Sequence, residues 1–224
     1  MVRKILIALA AIVVLFVIVV ALQPANFSVT RSATINAPPG IVFDQVNDFH
    51  KWAAWSPWEK LDPAMKKTFG GPALGEGATY AWEGNDQVGQ GRMTISEAKS
   101  PLHVGIKLEF MKPFAATNPT TFDFAAAGAT TTVTWTMRGE NNFVGKAMCL
   151  FVNMDKMVGG DFERGLAAMK SVSETEAARV QAEAQKAAEA KAKADAEAKA
   201  KEEAEAKAKA EEEAAKAKKG GKKK

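Results

Sequence analysis

The chain is poor in the residue types from which disulfide frameworks and metal sites are built. Its 224 residues include one cysteine, Cys149, and two histidines. A single thiol forms no internal disulfide and assembles no zinc cage. Its neighbours Met148, Leu150 and Phe151 are apolar, which favours a buried structural thiol over a nucleophile. We therefore assign no metal and no cofactor from the sequence.

A strong excess of charge of one sign is also missing. The net charge is +4, and residues 174–224 contribute 14 basic and 12 acidic side chains to it. A protein that grips phosphates along a groove carries a strongly positive surface, so we do not expect a nucleic-acid partner. The lysines at the extreme C-terminus indicate a solvated end.

Recognisable catalytic motifs are absent as well. The sequence contains no G-x-S-x-G, no H-E-x-x-H and no phosphate-cradling loop. His50 and His103 have no sequence neighbour that marks either one as a general base. We assign no catalytic residue, and binding is favoured over catalysis. An enzyme that works through pocket shape and one or two acid/base groups stays open.

One long apolar run is present, at the N-terminus. Arg3 and Lys4 precede residues 5–22, which are all apolar. At 1.5 Å per residue these span about 27 Å, enough to cross a bilayer core. The positive residues place the N-terminus in the cytoplasm and the remainder on the periplasmic or extracytoplasmic side. Residues 1–23 are predicted to be a single-pass membrane anchor, with a cleaved signal peptide as the alternative.

The middle of the chain, residues 24–173, is predicted to be one domain. Apolar and polar residues alternate along seven segments, which predicts strands at about 27–35, 66–69, 78–83, 89–98, 102–110, 120–126 and 130–138. Two short helices, near 41–46 and 49–55, interrupt the series after the first strand. The short spacings predict an antiparallel sheet with one apolar face.

A long helix from Phe143 to Ser173 is predicted to cover that apolar face, because its apolar residues recur at helical spacing. Four methionines in it favour an adaptable cavity. Gly159 and Gly160 each cost a helix about 1 kcal/mol against alanine. Their presence indicates a bend or a close approach by another group.

Residues 174–224 form a low-complexity tail of alanine, lysine and glutamate. Glu–Lys pairs four residues apart and the abundance of alanine predict a helix ending at Gly220-Gly221. The tail lacks leucine, isoleucine and phenylalanine, so a strong coiled-coil seam is not available. We expect a solvated spacer, with contact to an envelope protein as the alternative.

The middle domain resembles the SRPBCC superfamily, which has the START-like helix-grip fold, and within it the polyketide cyclase/dehydrase and lipid-transport group. The resemblance rests on residues 33–39, 42–43, 52, 55–59, 62–63, 75–78, 80, 82–85, 89–95, 108–114, 132–135, 153–158 and 162–166. It implies an α+β helix-grip fold, with a curved antiparallel sheet wrapped around a long C-terminal helix. It is more specific for the fold than for an activity.

The resemblance also implies a hydrophobic pocket between the sheet and the helix. Strand alternation and helix spacing select these lining candidates: Tyr80, Trp82, Met93, Ile95, Ile106, Leu108, Phe122, Phe124, Val133, Trp135, Met154, Asp155 and Val158. Further polar candidates are Glu83, Arg92 and Glu109, although alternation places all three on the opposite, solvent face. Asp155 falls on the apolar stripe of the helix, where a charge needs a ligand or a partner such as Lys51 or Arg92.

These observations lead to three functional hypotheses. The first is a membrane-anchored domain that binds or transports a hydrophobic small molecule or lipid. The second is an enzyme of the polyketide cyclase/dehydrase type. The third is an envelope spacer whose tail contacts a partner.

Overall fold

All seven predicted strands are present and form a single antiparallel sheet in the computed structural model, which describes residues 1–220. The strands are β1 (Asn26–Ile35), β2 (Lys66–Gly70), β3 (Thr79–Glu83), β4 (Gln90–Lys99), β5 (His103–Lys112), β6 (Ala116–Ala127) and β7 (Thr130–Glu140). Their order across the sheet is β1-β7-β6-β5-β4-β3-β2. The first strand therefore closes against the last, and the predicted α+β helix-grip class is confirmed.

Four α-helices accompany the sheet within the described residues: α1 (Val2–Ala21), α2 (Pro39–Asn47), α3 (Phe143–Cys149) and α4 (Met154–Gly220). α2 starts with a proline at its first position, where the missing N–H costs nothing. Two 3₁₀ turns, Phe49–Ala54 and Pro57–Lys60, follow α2. The side chain of Asp48 caps the first turn by accepting a hydrogen bond from the N–H of His50.

Strand β6 begins four residues earlier than predicted, at Ala116. The predicted start, Thr120, follows Pro119, and proline normally interrupts a ladder. Pro119 pairs with Lys107 of β5, whereas pairing with β7 starts only at Thr120. The segment before Thr120 thus has a free edge, where the missing N–H of proline removes no ladder bond.

The predicted single helix from Phe143 to Ser173 is two helices, so this prediction was wrong. α3 ends at Cys149, and α4 starts at Met154. The side-chain oxygen of Asn153 accepts a hydrogen bond from the N–H of Lys156 at 2.9 Å, and so caps the new helix. Helical periodicity continues across the gap, which is why the sequence pattern did not reveal it.

The hydrophobic core lies between one face of the sheet and the elements that cover it. Phe162, Leu166 and Met169 of α4 are fully buried there, one helical turn apart. α2 contributes Val42, Phe43 and Val46 to the same core. The core is therefore covered by α4 on one part and by α2 with its 3₁₀ turns on another.

Helix α1 is long and apolar enough to cross a membrane, by length and composition. Its 20 residues span about 30 Å. A second compact unit starts at Ala178 and contains the rest of α4. Its described side chains are exposed, and Arg179 forms an ion pair with Glu183 at 2.6 Å. The predicted free terminus, residues 221–224, lies outside the described residues.

Candidate ligand-binding cavity

A cavity of about 320 Å³ lies between the inner face of the sheet, the 3₁₀ turns and the first turns of α4. The lining residues from strands β3 to β7 are Tyr80, Trp82, Met93, Leu108, Phe110, Thr120, Trp135 and Met137. The other lining residues are Trp52, Ser56, Trp58, Glu59, Leu61, Met65, Gln87, Val88, Met157, Val158, Asp161 and Phe162. Aromatic rings and methionine side chains dominate this wall.

Strand register explains how the sheet side of the cavity forms. Tyr80 of β3 lies opposite Met93 of β4, which lies opposite Leu108 of β5, so these three side chains form one row across the sheet. The next row contains Trp82 and Gly91. A Cβ atom at Gly91 would lie 2.4 Å from the indole of Trp82. Glycine at this position therefore lets the Trp82 ring lie flat across β4.

Aromatic contacts hold the helix side of the cavity to the sheet. The rings of Trp135 and Phe162 stack with their centroids 3.9 Å apart and their planes 6° apart. Trp58 packs edge-on against both rings, at 5.8 Å and 6.4 Å. Such pairs stabilise by about 0.5–1.5 kcal/mol beyond the area that they bury. The ring of Phe162 in the cavity wall is therefore packed against two tryptophans.

The principal polar feature of the cavity wall is Glu59, at the end of the second 3₁₀ turn. The hydroxyl of Tyr80 donates a hydrogen bond to Oε1 of Glu59 at 2.8 Å. The ammonium group of Lys67 pairs with Oε2. The Glu59 side chain is only 8% exposed. A carboxylate has about four lone-pair directions, so two of them are left for a further donor.

Burial raises the pKa of Tyr80 well above its ordinary value, and the hydrogen bond and negative charge of Glu59 raise it further. The phenol therefore stays protonated and acts as a donor throughout the physiological pH range. The indole N–H of Trp135 is buried without a hydrogen-bond acceptor in the described part of the chain. Tyr80 and Trp135 thus both bring a buried donor to the cavity wall, and of these two groups only the O–H of Tyr80 has an acceptor.

Six of the sequence-predicted candidates line the cavity together: Tyr80, Trp82, Met93, Leu108, Trp135 and Val158. Ile95, Ile106, Phe122, Phe124 and Val133 face the same side of the sheet but are packed in the core. Phe124 contacts Phe43 of α2, and Phe122 contacts Trp55 after the first 3₁₀ turn. Alternation identified the inner face correctly, but it does not tell which part of that face α2 covers.

The two remaining candidates lie away from the cavity. Met154 borders a second, open depression beside residues 23–27. Asp155 is exposed, and its carboxylate accepts hydrogen bonds from Nη1 and Nη2 of Arg31 at 3.0 and 3.1 Å. The partner of Asp155 is thus Arg31, not Lys51 or Arg92. The guanidinium holds the pKa of Asp155 below its usual range.

Arg31 also accounts for one of the two helical glycines. Its Nε donates to Oε1 of Glu163 at 2.7 Å, and its Nη2 donates to the backbone oxygen of Asp155 at 3.0 Å. A Cβ atom at Gly159 would lie 2.0 Å from Nη2. The predicted close approach to the helix is therefore made by this guanidinium, which fixes the first turns of α4 to β1.

The additional polar candidates lie outside the cavity. Arg92 and Glu109 form an ion pair at 3.0 Å across β4 and β5. Lys107 and then Arg92 lower the pKa of Glu109 by hydrogen bonding to it. Glu83 is exposed at the end of β3. This placement agrees with the strand alternation, which assigned these side chains to the solvent face.

Sequence reasoning missed the part of the wall that comes from irregular segments. Trp58, Glu59, Leu61 and Met65 follow α2 in turns, where no periodicity marks a face. The segment from Trp55 to Glu59 carries part of the family resemblance, and this resemblance was the only sequence feature that could have identified Trp58 and Glu59 as wall residues. His50 and His103 do not line the cavity. Among residues 1–220, no three His, Cys, Asp or Glu side chains are grouped to hold a metal ion.

Comparison with solved structures finds matches at low sequence identity. Protein CV1439 from Chromobacterium violaceum is 11% identical, with 66% of this chain and 96% of that chain covered and a TM-score of 0.50. The Aha1 dimer from Colwellia psychrerythraea is 13% identical, covers the same shares and gives a TM-score of 0.48. The di-domain ARO/CYC protein BexL, from the BE-7585A biosynthetic pathway, is 18% identical, with 72% of this chain and 53% of that chain covered and a TM-score of 0.48.

No curated protein matches this chain in sequence. A family model described as polyketide cyclase / dehydrase and lipid transport matches residues 26–174. The matched segment begins at the first strand of the sheet and ends in α4, and so contains every residue that lines the cavity. The chain therefore belongs to the polyketide cyclase/dehydrase and lipid-transport family.

Proposed function

We propose that this protein is a membrane-anchored carrier domain that binds a hydrophobic, lipid-like molecule in the cavity between the sheet and α4. The observation that carries the proposal is the cavity itself. Its volume of about 320 Å³ is that of a small-molecule site. Its wall is mostly aromatic and aliphatic, with a few polar groups, as in sites that bind apolar ligands.

The polar groups of the wall indicate the kind of head group that fits. Glu59 has lone pairs free beside Tyr80 and Lys67, and it accepts hydrogen bonds rather than donating them. A hydroxyl or an amide N–H on the ligand would donate to this carboxylate, while its apolar part lies against Met93 and Leu108. A ligand with a carboxylate head group has no donor to offer these lone pairs. The proposed ligand is therefore neutral or cationic at its polar end.

Helix α1 is proposed to be a retained anchor rather than a cleaved signal. The basic residues Arg3 and Lys4 precede the apolar run, so the domain is proposed to lie on the periplasmic or extracytoplasmic side. The exposed, polar surface of the tail supports a spacer role for residues 178–211.

The test compares two tryptophan substitutions at neighbouring positions of β5. The side chain of Leu108 lines the cavity, whereas that of Lys107 is exposed and pairs with Glu109 on the outer face. Wild type, Leu108→Trp and Lys107→Trp are purified as full chains in detergent, and bound lipid is extracted and quantified by mass spectrometry. We expect hydrophobic material with wild type and Lys107→Trp, and its loss with Leu108→Trp. Equal amounts in all three proteins would overturn the proposal.

A second candidate function, an enzyme of the cyclase/dehydrase type, is favoured by the hydrogen bond between Tyr80 and Glu59 in the cavity wall. A buried carboxylate and a protonated phenol can act as general base and general acid on a bound polyketide-like substrate. The check is turnover of such substrates by wild type, Glu59→Gln and Tyr80→Phe. Activity that both substitutions abolish, with bound lipid unchanged, would establish this alternative.

A further inference from the structure

Exposed apolar side chains are concentrated on α3 and the turn that follows it. Phe143, Val144 and Met148 are each about half exposed, and Phe151 is 82% exposed. At about 100° per residue, the three positions on α3 fall within one sector roughly 140° wide. We call these four residues the α3 patch. Three of them lie on α3, a helix that is too short to be stable by itself, and Phe151 lies in the turn that follows it.

The α3 patch lies where the proposed membrane span ends. The ammonium group of Lys146 donates a hydrogen bond to the backbone oxygen of Ala21, the last residue of α1, at 3.3 Å. The N–H of Asn141 donates to the oxygen of Ala25 at 2.6 Å. Leu22, between these two contacts, is also largely exposed. Hydrogen bonds thus tie α3 to the segment that leaves the bilayer.

This position determines what covers the apolar face. The 20-residue span of α1, which is apolar from Ile5 onward, places Ala21 and Leu22 at the lipid–water boundary. An adjoining helix with one apolar face then lies in that boundary, with its face about 5–10 Å deep among head groups and acyl chains. Lys146 lies outside the apolar sector, so its charge remains beside the head groups. A lipid surface therefore covers this patch without any additional partner.

We propose that the α3 patch docks the domain onto the outer leaflet of the bilayer that α1 spans. The inference rests on the anchor in the proposed function. It also gives the cavity a source of ligand. Met157 and Val158, six and seven residues after Phe151, line the cavity from the first two turns of α4. Docking at the patch brings this wall of the cavity to the membrane, so that a lipid-like ligand enters without crossing water.

The test uses single-cysteine versions of the full chain labelled with the fluorophore NBD. In a Cys149→Ser background, Phe151→Cys and Val144→Cys place the label on the α3 patch. Leu102→Cys is the matched control. Leu102 is 60% exposed in the turn between β4 and β5, and its oxygen accepts a hydrogen bond from the N–H of Phe124. Phe124 pairs with Val133, and Val133 pairs with Ala33 near the C-terminal end of β1. The control position therefore lies near the end of the sheet opposite to Asn26, and Asn26 is at the end that follows α1.

The labelled chains are reconstituted into vesicles of phosphatidylcholine and phosphatidylglycerol, with or without nitroxide-labelled lipid. We expect blue-shifted emission and strong nitroxide quenching at positions 144 and 151, and neither at position 102. Quenching no greater at 144 and 151 than at 102 would overturn the proposal. A blue shift without quenching would overturn it in favour of a contact between two copies of the chain.

Two further measurements separate the proposal from its premises. Flotation of the chain with the vesicles after a carbonate wash shows that α1 is an anchor. A chain that does not float would overturn both the anchor and the docking. Lipid recovered from the cavity in a chain whose patch is unquenched would leave the ligand-binding proposal standing and refute docking alone.

Discussion

The two neighbouring glycines of α4 are expected to respond in opposite ways to the same substitution. Replacing glycine by alanine inside a helix stabilises it by about 1 kcal/mol. At Gly160 the added methyl group meets nothing closer than Nη1 of Arg164 at 3.7 Å, which is an ordinary contact. We expect Gly160→Ala to raise the free energy of unfolding by about 1 kcal/mol, or the melting temperature by roughly 2–4 °C.

At Gly159 the same methyl group would lie 2.0 Å from Nη2 of Arg31. Non-bonded heavy atoms prefer about 3.5–4.0 Å, so the guanidinium has to move by more than about 1 Å. Its hydrogen bonds to the Asp155 oxygens, now 3.0 and 3.1 Å, then exceed bonding distance. We expect Gly159→Ala to show no gain over wild type, and so to be less stable than Gly160→Ala by about 1 kcal/mol or more.

Urea unfolding of the full chain in detergent, followed by tryptophan fluorescence, measures both effects. All five tryptophans lie between residues 52 and 135, and so they report on the domain. In an Arg31→Ala background the obstruction is gone, and Gly159→Ala should recover its gain of about 1 kcal/mol. If Gly159→Ala stabilises the wild-type chain as much as Gly160→Ala does, the reasoning about the Arg31 contact is refuted.

Three more predictions follow from the same contacts. Tyr80 is the only tyrosine, so absorbance at 295 nm should show no tyrosine ionisation near pH 11, where an ordinary tyrosine of pKa about 10 has largely ionised. Glu59→Gln should lower the pKa of Tyr80, and ionisation of wild type at the ordinary pH would contradict the Glu59 contact. Phe162→Ala should cost about 3–5 kcal/mol in urea unfolding, because it removes a fully buried ring stacked on Trp135; a loss below about 1 kcal/mol would contradict that packing. Because Arg31 lowers the folded-state pKa of Asp155, its stabilisation is present above the unfolded pKa of about 3.9 and is lost as pH falls through the lowered folded-state pKa. Wild type should therefore exceed Asp155→Asn in stability at pH 6, and the difference should shrink as the pH is lowered; a difference independent of pH would exclude the ion pair as its cause.

The fold could be predicted from the sequence because its periodicities are local. Alternation along β7, with Val133, Trp135 and Met137 on one face, follows from the two-residue period of a strand. The helical stripe of Phe162, Leu166 and Met169 follows from the period of a helix in the same way. A short interruption of a helix changes neither pattern. The break between Cys149 and Met154, after which Asn153 caps α4, was therefore missed.

The site was only half predictable, for a physical reason. Leu108 and Ile106 lie on the same strand and the same face, yet only Leu108 borders the cavity. Whether a residue of this face borders the cavity depends on where α2 covers the sheet. That packing is a long-range contact, which a local sequence pattern does not determine. Glu59 was missed because it lies in a 3₁₀ turn, and Arg31 was missed as a partner because it lies 124 positions from Asp155 in the sequence.

The central claim is that the cavity between the sheet and α4 holds a hydrophobic ligand, and photo-crosslinking tests it most directly. The full chain is reconstituted in vesicles containing a lipid with a diazirine in its acyl chain, irradiated, digested and mapped by mass spectrometry. We predict adducts on cavity residues such as Met93, Trp82 and Val158, and their loss in Leu108→Trp. Adducts confined to α1 and the α3 patch, with none on the cavity residues, would contradict the account.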